Sequence, residues 1–225
     1  MQVLNERCCP GARHVVRGVR ASGVAWLRGY HSDAQLLAIA RDLGRIVGDT
    51  SVRVRPGSRT YLASPGPIPV HTDHSRADLI GWRCEAQDDH VGASRLVDGH
   101  EVLGRLSAET IAQLERTRLP AMVRLGDPAT LTPVVSRRGG CLALFHAPWL
   151  APVDATPEGR RALRSLRAAL GEAERRALEI RLAPGELLFV DNRRILHGRA
   201  ALSDCSPRRL RRLWIETTRE PGLEG

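Results

Sequence analysis

Apolar and polar positions repeat along this chain with two periods, and the change from one to the other divides it into elements. "GVAWLRGY" gathers apolar and aromatic side chains into a short run bounded by glycines, which predicts a strand. In the next segment, "SDAQLLAIARDLG", Leu36, Ile39, Ala40 and Leu43 fall three and four apart, the spacing of one helical face. Helix punctuation marks both of its ends. Ser32 and Gln35 form a capping box and Gly44 a stop, so a β-then-α start is expected. The stretch "SVRVRPGSRTYLASPGPIPVHTD" breaks β-prone runs with Pro and Gly, which predicts a sheet with many corners.

Further helices are predicted in two places. "DGHEVLGRLSAETIAQLERT" has Asp98 and Ser107 as caps, and "TPEGRRALRSLRAAL" starts with Thr156 as N-cap and Pro157 at the first helical position, where its missing N–H leaves nothing unpaired. The remaining apolar runs, "MVRL", "CLALF", "ALEIRL", "ELLFV" and "RRLWIE", have strand length. Many short strands with few helices predict a mainly β fold with flanking helices, whose double-sheet or barrel-like core is compatible with a jelly roll. The expected organisation is one domain over residues 1–225, with residues 1–20 as a mobile tail or a first strand.

Composition narrows the function classes. No run approaches the roughly 18 consecutive apolar residues of a membrane span, and the opening "MQVLNERCCPGARHVVRGVR" lacks the apolar core of a signal peptide, so no membrane role and a cytoplasmic location are expected. The five cysteines, Cys8, Cys9, Cys84, Cys141 and Cys205, are odd in number and form no C-x-x-C pair, which points to reduced thiols. A net charge of +9 suggests a phosphate-bearing partner. However, all 34 basic residues are arginine, scattered from Arg7 to Arg219, and two Tyr and two Phe supply no base-stacking platform, so no nucleic-acid partner is expected.

The candidate chemistry lies in "PVHTDHS". His71 and Asp73 are two apart in an extended segment, so their side chains leave the same face and are able to meet one ion. With His197, 126 positions on (197 − 71), they would make a set of two imidazoles and one carboxylate, which leaves about three positions of an octahedral metal open for a co-substrate and dioxygen. The triplet alone is weak, because chance predicts roughly 0.4 His-x-Asp triplets in such a composition. A second one, His31-Ser32-Asp33, sits at a helix entry, where Ser32 and Asp33 already have capping and dipole roles.

Together, "PVHTDHS" and "PGELLFVDNRRILHGR" resemble the iron(II)- and 2-oxoglutarate-dependent oxygenases of the taurine dioxygenase and clavaminate synthase-like superfamily, and the resemblance extends from "GVAWLRGY" to "RRLWIE". It implies a double-stranded β-helix, Fe(II) and 2-oxoglutarate as cofactor and co-substrate, and His71, Asp73 and His197 as iron ligands. It also implies that Arg208, eleven residues beyond the distal histidine (208 − 197), grips the far carboxylate of 2-oxoglutarate. A guanidinium suits that task because its planar fork meets a carboxylate in two parallel hydrogen bonds. Alternation would put Arg208 and Arg212 on one face and Arg209 and Arg211 on the other, with Arg212 reaching co-substrate or substrate. In "HVGASRLVDG", Ser94 stands where such enzymes carry a threonine after a glycine pair, although the second glycine is Ala93 here, and it is expected to touch the same carboxylate.

Asp191 and Asn192 are expected to support the site from behind, His74 to pack away from it, and His146 to line the cavity. Halogenating relatives replace the carboxylate ligand with a small residue. Asp73 is intact, which favours hydroxylation, desaturation or cyclisation, with release of succinate and CO2. "ADLIGWRCEAQ" offers Trp82, Arg83 and Glu85 as substrate contacts, and Arg199 a receptor for a substrate carboxylate. A small molecule, specifically an amino acid or amino-acid-derived natural-product intermediate, is the first expectation. The alternatives are a carrier-tethered or larger substrate and a non-catalytic metal-binding β-barrel protein.

Overall fold

The computed structural model describes residues 11–55, 57, 58, 60, 62–120 and 131–217. Its first element corrects an expectation. Of the segment expected as a tail or first strand, residues 1–10 lie outside the described residues and Ala12–Ser22 form helix α1, burying His14, Val15, Gly18, Val19 and Ser22 along one side and closing at Gly23, whose φ of 78° favours glycine. Arg13, Arg17 and Arg20 lie on the exposed side of the helix, opposite Val15 and Val19, so the segment carries a helical period that the expectation of a tail or strand did not use.

Strand β1 (Val24–Leu27) leads into α2 (Asp33–Leu43), where Ser32 accepts from the Gln35 N–H in the expected capping box. Gly44 ends the helix by a different route from a left-handed turn. Its φ of 164° is extended backbone, and the chain runs straight into β2 (Gly44–Arg53); a side chain at this position would collide with the backbone of Glu216. There follow β3 (Ile68–His71), β4 (Leu79–Ala86), β5 (Ser94–Asp98), the short α3 (Gly99–Leu103) capped by Asp98, and α4 (Ala108–Arg116) capped by Ser107. Two small hairpins come next, β6 (Arg118–Pro120) with β7 (Leu131–Pro133) and β8 (Val135–Arg138) with β9 (Cys141–Leu144). Helix α5 (Pro157–Glu174) has Thr156 as N-cap and Pro157 at its start, as expected. The chain ends in β10 (Leu178–Ile180), β11 (Leu187–Asp191), β12 (Ile195–Arg199) and β13 (Arg209–Thr217). The run "MVRL" lies outside the described residues.

The strands build two antiparallel sheets, in the orders β1-β11-β4-β13-β2 and β10-β5-β12-β3. Strand parity sorts their side chains into layers. Ile80 and Trp82 of β4, Leu188 and Val190 of β11, and Leu210 and Trp214 of β13 face Leu96 and Ile195 of the second sheet and form the core between them. The opposite parity, Leu79, Leu187, Phe189, Leu213 and Ile215, packs outward under α1 and α2. On the outer face of the second sheet, Val70, Val97 and Leu196 meet α3, α4 and α5. The result is the double-stranded β-helix, or jelly roll. Because helices seal both outer faces, the space between the sheets is the place where inward polar side chains can gather out of water.

Candidate active site

Strand pairing brings the proposed ligand residues together. In the β3–β12 ladder His197 lies directly opposite His71, with ring centroids 4.5 Å apart, and Asp73 follows two residues after His71. The imidazole Nε2 atoms of His71 and His197 each lie 3.6 Å from an oxygen of Asp73, beyond hydrogen-bond range, so the three groups face one another across a gap. All three are buried, and their ligand atoms lie within 4.8 Å of one another, the one such group among the described residues.

The donor atoms fit a divalent iron. The Nδ1–H of His71 donates to the Pro69 carbonyl at 3.0 Å, which fixes the tautomer and leaves Nε2 as a lone pair aimed into the gap. Both ring nitrogens of His197 are buried without a partner, and such groups are satisfied in folded proteins by a ligand or a hydrogen bond. Burial alone would push the Asp73 carboxyl up, but Arg212 beside it, and then His197, hold it well below the usual carboxylate range. Burial, reinforced by His71, pushes His197 down to about 4. The ionised Asp73 carboxylate and the neutral His197 imidazole are in the protonation states that metal ligation requires.

Asp73 is held from three sides. Its backbone N–H donates to Asn192 Oδ1 at 2.7 Å, while the Asn192 amide donates to the carbonyls of His74 and Ala77, so this asparagine fixes the bend after the ligand strand, as expected of a supporting residue. Asp191 supports only its own turn, accepting from the Arg193 N–H. The Asp73 carboxylate accepts from Arg212 Nη1 at 2.9 Å to both oxygens and from Trp214 Nε1 at 2.8 Å to Oδ2.

Trp214 is a residue the sequence reading missed. Parity was the available signal, since Trp214 stands two beyond Arg212 and therefore shares its face. Its ring also stacks on His74 at 5.5 Å and carries the Arg212 guanidinium 4.7 Å from its centroid. The Trp214→Phe variant retains the stacking and deletes one donor to Asp73. We expect ferrous-ion affinity to fall about tenfold, the lower end of the range for outer partners of metal ligands; an unchanged affinity in an iron titration would remove Trp214 from the site.

The gap opens into a cavity lined by His71, His197, Trp82, Ser94, Arg199 and Arg208, among others. Trp82 stands edge-on to the His197 ring at 4.9 Å. Arg208 comes in just before β13 and donates from Nη2 to Ser94 Oγ at 3.1 Å, while its Nε has no partner. Burial, then the neighbouring Arg199, pushes its guanidinium down to about 10, so it remains cationic at neutral pH. Gly92, at φ 77°, packs beneath this arrangement, where a side chain would strike Leu202 and crowd Arg208. The parity prediction for the arginines holds: Arg208 and Arg212 are buried, while Arg209 pairs with Glu85 and Arg211 with Asp49 on the outer face.

Other predicted contacts do not reach the cavity. Because β4 turns Trp82 and Cys84 inward, Arg83 and Glu85 point outward; Arg83 donates to the His31 carbonyl at 2.7 Å and Glu85 pairs with Arg209. His146 is buried but absent from the cavity wall. Its N–H donates to Thr72 Oγ1 at 2.9 Å, and burial pushes its imidazole down to about 4. The ring that does pack edge-on to His71, at 4.8 Å, is Trp149, from a segment without strand or helix periodicity to signal it. His74 packs away from the gap as expected, and Ser32 and Asp33 keep their helix-entry roles. The cysteines among the described residues, Cys84, Cys141 and Cys205, are free. No helix among the described residues is long and apolar enough to cross a membrane.

Residues 9–214 match the sequence model of the family described as "Taurine catabolism dioxygenase TauD, TfdA family". Among solved structures the chain is similar to asparagine oxygenase in complex with Fe(II), 2S,3S-3-hydroxyasparagine and succinate, with a TM-score of 0.75 and 23% identity over 90% of this chain and 78% of that one. It is also similar to a variant of the non-heme iron oxygenase OrfP in complex with (3S)-hydroxy-L-Arg (TM-score 0.66, 18% identity, 91% and 83% covered). A third is PvcB, an Fe, alpha-ketoglutarate dependent oxygenase from an isonitrile synthetic pathway (TM-score 0.70, 21% identity, 95% and 85% covered); another structure of PvcB names its source as Pseudomonas aeruginosa.

Proposed function

The chain belongs to the TauD, TfdA family of dioxygenases, and from that premise we propose that it hydroxylates an unactivated C–H bond of an amino acid or an amino-acid-derived intermediate. As a member it is an iron(II)- and 2-oxoglutarate-dependent non-haem oxygenase. In this reading His71, Asp73 and His197 hold the iron, and Arg208 with Ser94 holds the far carboxylate of 2-oxoglutarate. The observation that carries it is the cavity itself, whose wall includes two imidazoles and a buried guanidinium already oriented by a serine hydroxyl.

When bound, ferrous iron supplies the redox chemistry that couples oxidative decarboxylation of 2-oxoglutarate, to succinate and CO2, with oxygen insertion into the substrate. The residues of this chain prepare for that chemistry. His71 presents a fixed lone pair, and Asp73 stays ionised under Arg212 and Trp214. Arg208 fixes the length of the co-substrate that fits between it and the metal, because its own position is set by Ser94 and by packing against Gly92. The apolar wall formed by Val52, Leu188 and Leu210 keeps water from the space where the reacting groups must meet.

Two of the structural relatives hold a hydroxylated amino acid, and this supports an amino-acid substrate. The test is a screen of free amino acids with the iron-loaded protein, 2-oxoglutarate and oxygen. One or more should stimulate succinate release above the substrate-free background and gain one oxygen atom by mass. Stimulation by none of them would sink the free-amino-acid reading.

A further inference from the structure

Residues two apart on a strand share a face, so β12 sends His197 and Arg199 to the same side, into the cavity. Across the β12–β5 ladder Arg199 is paired with Ser94, the residue whose hydroxyl meets Arg208. Arg199 therefore sits beside the Arg208–Ser94 pair. Arg199 and Arg208 are only 3% and 4% exposed. The Nη2 of Arg199 donates to the carbonyls of Ser64 and Gly66 at 2.7 and 2.6 Å, but its Nε and Nη1 are buried without partners, as is the Nε of Arg208. Among the described residues, neither arginine has a carboxylate within ion-pair distance. Two desolvated cations side by side repel each other, and an isolated buried charge is tolerated only when something pairs it.

We propose that Arg199 is a second cation of the co-substrate site, holding the far carboxylate of 2-oxoglutarate together with Arg208 and Ser94, and not a receptor for a substrate carboxylate. The inference rests on the reading of this cavity as the 2-oxoglutarate site. It deepens that reading in one respect: two guanidiniums select for a keto acid that carries a second carboxylate, because a monocarboxylate such as pyruvate leaves both of them unpaired. The same guanidinium also ties down the 64–66 segment, so the test must separate charge from anchoring.

The test uses the full chain with Fe(II) under anaerobic conditions, titrated with 2-oxoglutarate and separately with pyruvate, each followed by the visible charge-transfer band of a chelated keto acid. Arg199→Gln, which keeps a donor for the loop carbonyls and removes the charge, should weaken 2-oxoglutarate about tenfold or more and leave pyruvate within about twofold. Arg199→Lys, which keeps the charge but loses the planar fork, should weaken 2-oxoglutarate about threefold with pyruvate again unchanged; if Arg199→Gln does not fold, this variant carries the test alone. Unchanged 2-oxoglutarate affinity in the Arg199 variants, with a large loss in Arg208→Met, would overturn the inference and leave the co-substrate reading standing. An equal loss for both keto acids would overturn it too, assigning Arg199 to anchoring. Unchanged affinity in Arg208→Met as well would overturn the co-substrate reading along with the inference.

Discussion

Replacing His197 by alanine is expected to abolish iron-dependent turnover and to lower ferrous affinity by more than the roughly 10- to 100-fold typical of losing an outer partner. The reason is geometric. The imidazole closes a gap whose other two sides are His71 and Asp73, and no other described His, Cys, Asp or Glu is placed to substitute for it. His71→Ala and Asp73→Ala are expected to behave alike. A ligand that binds only the folded state raises the thermal midpoint, so Fe(II) should raise that of the wild type and leave those of the three variants in place. Full activity in any one variant would remove that residue from the ligand set.

Replacing Arg208 by methionine is expected to weaken 2-oxoglutarate roughly hundredfold, about 3 kcal/mol, the scale of charge-assisted hydrogen bonds to one carboxylate. Its effect on stability should run the other way. Burial pushes this guanidinium down to about 10, which means the fold disfavours its charge at neutral pH. An apolar side chain of similar reach should therefore leave the thermal midpoint of the ligand-free protein unchanged or raised. Loss of co-substrate binding with no loss of stability separates a binding role from a structural one. A lowered midpoint with intact 2-oxoglutarate affinity would reassign Arg208 to the core.

Much of this site was legible because strands write their two faces into alternate positions. Arg212 and the outward pair Arg209 and Arg211 follow from that period, and Arg208, one residue before β13, continues it, whereas Asp73 lies beyond the end of β3 in the bend that Asn192 holds. Parity has a limit, however. It says that Trp82 and Arg83 face opposite ways but not which one faces in, and only the pairing of β4 with β11 and β13 decides it. The position of Arg199 along the cavity shows the same limit. Its inward direction follows from His197, but its neighbour Ser94 lies 105 residues earlier (199 − 94), and their meeting is set by the β12–β5 register. Helix α1 was missed for another reason: its period was present, with Val15 and Val19 four apart and Arg13, Arg17 and Arg20 on the exposed side, but the segment was read only for the apolar core of a signal peptide. His146 and Trp149 lie where the backbone is neither strand nor helix, so no period predicts which ring packs against His71.

In the proposed arrangement one cavity would hold a ferrous ion at His71, Asp73 and His197 and a keto dicarboxylate between that ion and Arg208. Anaerobic addition of one equivalent of Fe(II) and then 2-oxoglutarate to the wild-type protein tests it directly. A visible charge-transfer band should appear only when both are present, saturate at one iron per chain, and be absent in Asp73→Ala. Iron that binds without any band on adding 2-oxoglutarate would contradict it and point instead to a metal-binding β-barrel without this chemistry.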